Sequence, residues 1–360
     1  MQETHWGQNI ERKNICVRGI EMRKYVLEEY VLNGFNASSK AREDVSKFIL
    51  DFGFESIAQN DKSNIRTKVG KSFLALKVYC SLLLKLKKDD ILFLQTSMKV
   101  LEGIFRIKEI KHFKIVYLIH DVFSIRYDNE DKHEKEIKQE INALNRCDYV
   151  ICHNSAMKER LEELGCRSTL IELGIFDYRV PTGSISKTQD VTVPSIAFAG
   201  NIAKSSFLMD LDIQIKKINV NVYGNPLTKF QNLTYKGTVS AEQLPQKIEG
   251  MYGLIWEGEY IAHEEDNYLR YNNPHKTSLY IVSGLPIVIW SKAAMADFVI
   301  SNNIGITINS LNELEDRLYN ISEDEYRTMK NNCLCLRKQL LNGYHLKRAI
   351  DKVIREINEQ

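Results

Sequence analysis

Residues 91–121 read ILFLQTSMKVLEGIFRIKEIKHFKIVYLIHD. Ile91-Leu92-Phe93-Leu94 is an unbroken apolar run of strand length, and Lys114-Ile115-Val116-Tyr117-Leu118-Ile119 is a second. Between them, Met98 to Ile110 carries apolar residues at helical spacing. A strand that is apolar on both faces has no side for water. It belongs in a parallel sheet with helices above and below.

The same unit repeats in both directions. Upstream, Tyr25 to Leu32 reads as a strand and Asn33-Gly34-Phe35-Asn36 as a turn. Ser38-Ser39 can cap a helix from Lys40 to about Phe52, and Ser72 to Lys88 is a second helix. Downstream come a helix from Glu134 to Asn145, a strand Tyr149–Cys152 and a helix from Ser155 to Leu164. The stretch from Asp177 to Val193 holds Pro181, Gly183 and several Ser, Thr and Lys, and breaks the alternation. The pattern then restarts with strands Ser195–Ala199, Val220–Tyr223, Gly253–Trp256, Pro286–Trp290 and Gly305–Ile308. Helices from Lys276, Ala293, Glu323 and Leu346 follow. The expected layout is an extension (1–21), a Rossmann-like domain (22–180), a linker (181–193), a second Rossmann-like domain (194–345) and a last helix (346–360) that can cross back to the first domain. Two doubly wound parallel-sheet domains of this kind face a cleft with their strand carboxyl ends.

Composition agrees with two full-sized cores: 360 residues, 44% hydrophobic and 27% charged. Lys and Arg number 49 and Asp and Glu 47, a net charge of +2, which gives no reason to expect nucleic acid as a partner. The seven cysteines, Cys16, Cys80, Cys147, Cys152, Cys166, Cys333 and Cys335, form no C-x-x-C pair and read as buried free thiols of a reducing cytoplasm. Met1 to Ile20 has no apolar run of a signal peptide. The greasiest stretch, Ser72 to Leu86, is interrupted by Lys77 and Lys85 and is too short to span a bilayer. Any membrane contact would therefore be peripheral. The P-loop, G-x-G-x-x-G and G-x-S-x-G patterns are missing.

Candidate chemistry collects at strand ends. Asn272-Asn273-Pro274-His275-Lys276-Thr277-Ser278 leads from a turn into a helix whose free N–H groups and adjacent lysine suit a diphosphate. A plain Pro-started helix with a solvated lysine is the alternative. Gly200-Asn201 ends one strand, with Lys204 just beyond it; an ordinary loop lysine would look the same. Tyr223, at the end of the next strand, could stack on a base or bind a ribose or phosphate, or could simply belong to the core rim. In the first half, His120-Asp121 and His153-Asn154 follow strands, and Asn36 and Ser38 lie in the first strand's loop. An imidazole beside a carboxylate can act as a base; helix capping is the alternative for these loops. Asp210-Leu211-Asp212 reads as a solvated helix face, so no metal site is expected, and Glu257, Glu259, Glu264, Glu265 and Asp266 read as a mobile acidic loop.

The combination resembles the GT-B glycosyltransferases. The runs Tyr271–Tyr280, Leu285–Trp290 and Lys292–Phe298, with Leu118–Asp121, Cys152–Asn154, Phe198–Asn201 and Gly253–Trp256, are similar to bacterial β-1,6-galactofuranosyltransferases of O-antigen assembly. A more distant similarity is to the glucosyltransferases of serine-rich adhesins. The resemblance covers nearly everything from Met22 onward. It implies UDP-sugar binding through Lys204, Tyr223 and Lys276, with Gly200, Asn201, Asn273, His275 and Thr277 around them. It further implies no cofactor and no obligatory metal, and a catalytic base in His120 or Asp121. Asn36, Ser38, His153 and Asn154 fall on the acceptor side. A cell-surface glycan acceptor, lipid-linked in such pathways, would place the enzyme in the cytoplasm or at the inner membrane face, as a monomer or homo-oligomer. Glucosyl transfer to a glycoprotein and a non-catalytic nucleotide-sugar-binding subunit remain the alternatives.

Overall fold

A computed structural model describes residues 16–17, 20–30, 37–61, 68–96, 98–127, 133–181, 193–259 and 267–359. Cys16–Val17 (β1) and Ile20–Glu21 (β2) make a small antiparallel pair apart from the main sheets. The first main sheet contains Lys24–Tyr30 (β3), Glu55–Asp61 (β4), Ile91–Leu94 (β5), Lys114–Leu118 (β6), Tyr149–Cys152 (β7) and Thr169–Glu172 (β8). The second contains Ser195–Asn201 (β9), Asn219–Asn225 (β10), Thr234–Gly237 (β11), Tyr252–Ile255 (β12), Ile287–Trp290 (β13) and Gly305–Ile308 (β14). Their orders are β4-β3-β5-β6-β7-β8 and β11-β10-β9-β12-β13-β14, all parallel. Each order reverses once, between β3 and β5 and between β9 and β12. A crevice opens beyond the strand ends at such a reversal.

Helices cover both faces of each sheet. Tyr25, Leu92, Ile115 and Val150 face one layer of the first domain, and Val26, Phe93, Val116 and Ile151 the other. That second layer includes Leu346, Ala349, Ile350 and Val353 of the last helix, Tyr344–Glu359, so the C-terminus packs on the first domain. Asp177 fixes the start of that helix, accepting the backbone N–H groups of His345 (3.3 Å) and Leu346 (2.7 Å). Most of the expected linker lies outside the described residues.

Three local expectations are corrected. The helix Ala37–Asp51 already includes Ser38 and Ser39, so neither caps it from outside. Asp212 is buried, not solvated. Its carboxylate accepts the N–H groups of Gln231, Asn232 and Leu233 at 2.7–2.9 Å and so holds the approach to β11. Among the cysteines, Cys147, Cys152, Cys166 and Cys333 are buried free thiols, but Cys80 and Cys335 are exposed.

The reversal in the second sheet is held open by one side chain. β9 and β12 pair only at Ile196↔Tyr252 and Ala197↔Gly253. Past that point the buried Tyr280 hydroxyl stands between the strands. It accepts from the Ala199 N–H (3.0 Å) and donates to the Leu254 carbonyl (3.3 Å). Gly253 makes the room, since a Cβ there would lie 2.1 Å from the Tyr280 ring. Tyr280→Phe would leave both backbone groups buried and unpaired, so it is expected to cost about 2 kcal/mol of stability. Urea unfolding measures this, and an unshifted midpoint would mean the strands close the gap by themselves.

Candidate active site

Two adjoining cavities lie beyond the ends of β9 and β10. One, of about 450 Å³, is walled by Ala199, Tyr223, Gly224, Val239, Leu244 and Leu279, with Tyr178, Thr238 and His275 at its polar positions. The other, of about 490 Å³, is lined by Arg126, Lys204, Glu257, Glu259, Asn267 and Tyr268. Lys276 and Asn201 belong to both. A larger space of about 730 Å³ lies at the opposite, amino end of the first sheet. There Lys108 and Lys114 meet Asp148, and Arg146 meets Glu102 and Glu109, so the charges are largely neutralised among themselves.

Lys276 is the second residue of the helix His275–Val282, whose N-terminus has no side-chain cap. Its ammonium lies 4.7 Å over the Phe198 ring and crosses Gly200. A Cβ on Gly200 would come within 3.2 Å of Lys276 Nζ, so the glycine seats the lysine. Burial lowers the Lys276 pKa, and Glu257 partly offsets this. Lys276 forms no ion pair among the described residues, and a partly buried cation without a counterion favours an anionic ligand. Lys204 is exposed on the far wall of the second cavity.

The other expected donor residues divide. Tyr223 presents its ring to the first cavity, but its hydroxyl accepts from the Glu249 N–H (2.9 Å) and donates to the Lys247 carbonyl (3.3 Å). A stacking or wall role fits it better than a hydrogen bond to ribose. Gly224 adopts φ +149°, and a Cβ there would lie 1.8 Å from the Gly200 carbonyl oxygen, so only glycine fits. His275 lines the first cavity and stacks on Tyr178 at 4.7 Å. Thr277 points inward: it is fully buried, its hydroxyl has no partner among the described residues, and it lines neither cavity.

Asn273, expected beside the donor, lies instead in the seam between domains with His153 and Asn154. Its N–H donates to His153 Nδ1 (3.0 Å), and its amide donates to the carbonyls of His153 (2.7 Å) and Gly174 (2.8 Å). Asn154 Nδ2 donates to Asn273 Oδ1 (2.6 Å) and the Tyr271 carbonyl (2.9 Å), while its Oδ1 caps the next helix at Met157. These three side chains are committed to one another across the seam. Tyr268 strengthens it, with its ring in the first domain's core and its hydroxyl accepting from the Val122 N–H (3.1 Å).

The two base candidates differ. Asp121 is exposed and ion-paired with Arg126 at 3.0 Å. His120 is half-buried and stacked on Phe176 at 5.4 Å, and lines neither cavity. Its Nε2 lies 2.8 Å from Gln95 Oε1. Gln95 is buried, and its NH₂ donates to the Arg42 carbonyl (2.9 Å) and Ser46 Oγ (2.8 Å), which fixes the amide's orientation. An oxygen facing Nε2 requires the proton there, so Nδ1 keeps its lone pair. Burial, reinforced by Arg42, holds the His120 pKa well below the usual histidine range. Gln95 was missed in the sequence although it follows β5 just as His120 follows β6. Tyr178, Thr238 and Arg126 were missed as well, and only tertiary folding brings them here. Asn36, Glu264, Glu265 and Asp266 lie outside the described residues, as does the side chain of Ser38. Among the described residues, no group of three or more His, Cys, Asp or Glu is placed to hold a metal.

Buried neutral histidines make stability depend on pH. Burial depresses His153 and His345 to about 4 and His275 to about 3. Between pH 6.5 and 4 the unfolded chain binds protons that the folded chain refuses, so stability is full above 6.5 and falls as pH drops. Asp177, raised by burial to about 7, and Asp44, also raised by burial, oppose this in part. Unfolding at pH 5 is therefore expected to need about 2 kcal/mol less than at pH 7. Equal stabilities at the two pH values would show that these rings are not buried as neutral groups.

Comparisons place this arrangement among known proteins. The profile of the glucosyltransferase 3-like N-terminal domain matches residues 23–175, and that of the C-terminal domain matches residues 196–353. The β-1,6-galactofuranosyltransferase WbbI of Escherichia coli K12 is 32% identical over 255 residues, covering 68% of this chain and 72% of its own. Glucosyltransferase 3 of Streptococcus gordonii is 23% identical over 363 residues, covering 93% of this chain and 99% of its own. HepE of Anabaena, solved with UDP and glucose, superposes with a TM-score of 0.61 at 13% identity, over 93% of this chain and all of that one. With two parallel-sheet domains meeting at Asn273 and matching profiles over both, this chain belongs to the glucosyltransferase 3-like family and is a glycosyltransferase of GT-B fold.

Proposed function

We propose that the enzyme takes a hexose from a UDP-sugar, best assigned as galactofuranose, and joins it to a glycan hydroxyl in β-1,6 linkage with inversion. The observation that carries the UDP-sugar reading is Lys276, a cation with no ion pair among the described residues at an uncapped helix start, shared by two cavities at the sheet reversal. The first cavity, with apolar walls and the Tyr223 ring, suits a nucleoside. The diphosphate then lies against Lys276 and Lys204, and the sugar in the second cavity, where Glu257 and Asn267 offer partners to hydroxyls.

When the sugar–phosphate bond breaks, negative charge grows on the departing phosphate oxygen. Lys276, Lys204 and the helix N-terminus stabilise it where it develops. His120 takes the acceptor proton through Nδ1 while Gln95 holds the ring. A single displacement of this kind inverts the anomeric centre, so an α-linked donor gives a β product. The bound diphosphate would also raise the pKa of His120 toward the working range of a base.

The furanose assignment is supported by the 32% identity to WbbI, and a glucose donor by the family profiles spanning both domains. Purified enzyme offered UDP-galactofuranose and UDP-glucose, with a glucoside acceptor and mass-spectrometric detection, separates the two. Turnover of UDP-glucose alone removes the furanose reading. UDP binding without product from any pair removes the catalytic one.

A further inference from the structure

The helix Lys68–Lys85 is apolar on two opposite faces. Val78 and Leu82 point into the first domain's core. About half a turn away, Phe73, Leu76, Leu83 and Leu84 are 71%, 58%, 39% and 84% exposed. At 3.6 residues per turn these four form one stripe down the outer side. Ile110, 68% exposed, lies on the neighbouring helix Met98–Lys111, which packs close because Gly103 admits the Tyr79 ring. Five of the eleven large hydrophobic side chains exposed among the described residues thus lie here. A surface helix normally turns its polar side to water, and a contiguous apolar stripe marks a contact face.

Charge indicates what covers it. Residues 68–114 hold 11 Lys and Arg against 4 Asp and Glu, whereas the rest of the chain holds 38 against 43. With Lys108 and Lys114 set aside as partners of Asp148, this segment still holds 9 basic residues against 4 acidic ones, within a protein that is otherwise slightly acidic. Lys77, Lys87 and Lys88 are exposed beside it and form no ion pair among the described residues. A second copy of so basic a face would be repelled, while an anionic surface would be attracted. No helix among the described residues is long and apolar enough to cross a membrane. An apolar stripe with flanking lysines suits a helix lying in the plane of a bilayer interface.

We infer that this stripe docks the first domain onto an anionic bilayer, with Phe73, Leu76 and Leu84 inserted among the acyl chains and the lysines meeting the headgroups. The inference stands on the surface alone and does not depend on which sugar is transferred. The test is sedimentation of the full chain with phosphatidylcholine vesicles made with or without phosphatidylglycerol. Binding is expected only with the anionic lipid, weakening as salt is added. The exposed double variant L76S/L84S should bind about tenfold more weakly, with circular dichroism and UDP affinity unchanged. K87E/K88E should bind more weakly and lose much of its salt dependence. Wild-type protein that ignores anionic vesicles, or a double variant that binds as well as wild type, overturns the proposal. So does light scattering that shows a dimer which L76S/L84S converts to monomer, since a second copy would then cover the stripe.

Discussion

Lys276→Met is expected to weaken UDP binding by about thirtyfold or more, corresponding to roughly 2 kcal/mol for a lost charge-assisted contact. Methionine keeps the unbranched stem that packs over Phe198 and Gly200, so the loss reports charge and not packing. Lys276 is half-buried, and a charge screened from water interacts more strongly with a phosphate than an exposed one does. Lys204→Met should therefore cost less, about threefold to tenfold, because that ammonium is exposed and solvent-screened. Calorimetry with UDP measures both. An unchanged dissociation constant for Lys276→Met would remove the lysine from the site, and with it the central support for the donor assignment. A larger loss for Lys204 would place the diphosphate in the outer cavity.

His120→Ala is expected to lower kcat by about a thousandfold, the usual contribution of a positioned general base, with UDP affinity nearly intact. Gln95 acts through His120 and gives the more discriminating test. Gln95→Glu still accepts the Nε2 proton but adds a negative charge, which raises the imidazole pKa. The acid limb of the kcat profile should then move to higher pH. Gln95→Leu removes the acceptor that fixes the tautomer and should lower kcat without restoring that limb. A merely structural glutamine would change stability and leave the pH profile where it was. Full activity in His120→Ala would remove the base assignment. Asp121 would then be the remaining candidate, although its ion pair with Arg126 must open before it can accept a proton.

The central strands were legible because they are buried on both faces. Ile91–Leu94, Tyr149–Cys152 and Ile287–Trp290 are uninterrupted apolar runs, buried along their whole length. In the two main sheets the strands missed were Glu55–Asp61, Thr169–Glu172 and Thr234–Gly237, and all three are sheet edges. An edge strand keeps one side in water, so it carries polar residues such as those of Thr-Tyr-Lys-Gly and loses the apolar signature. Asp212 was misread for a related reason. A carboxylate on a short helix looks solvated in sequence, but its partners arrive about twenty residues later, on the approach to β11.

Local pattern was sufficient for the two-domain α/β architecture, for the positions of Gly200, Lys204 and Tyr223 at or just past strand ends and for Lys276 at a helix start, because periodicity and turn chemistry act over a few residues. Side-chain commitments were not legible in this way. Asn273 and His153 look equally available for a ligand in the sequence, yet 120 residues of chain return to pair them with each other. The Tyr223 hydroxyl is likewise claimed by the backbone at Lys247 and Glu249. A polar group can hold a substrate only if no protein partner already satisfies it, and folding over long sequence distances decides which groups are left free.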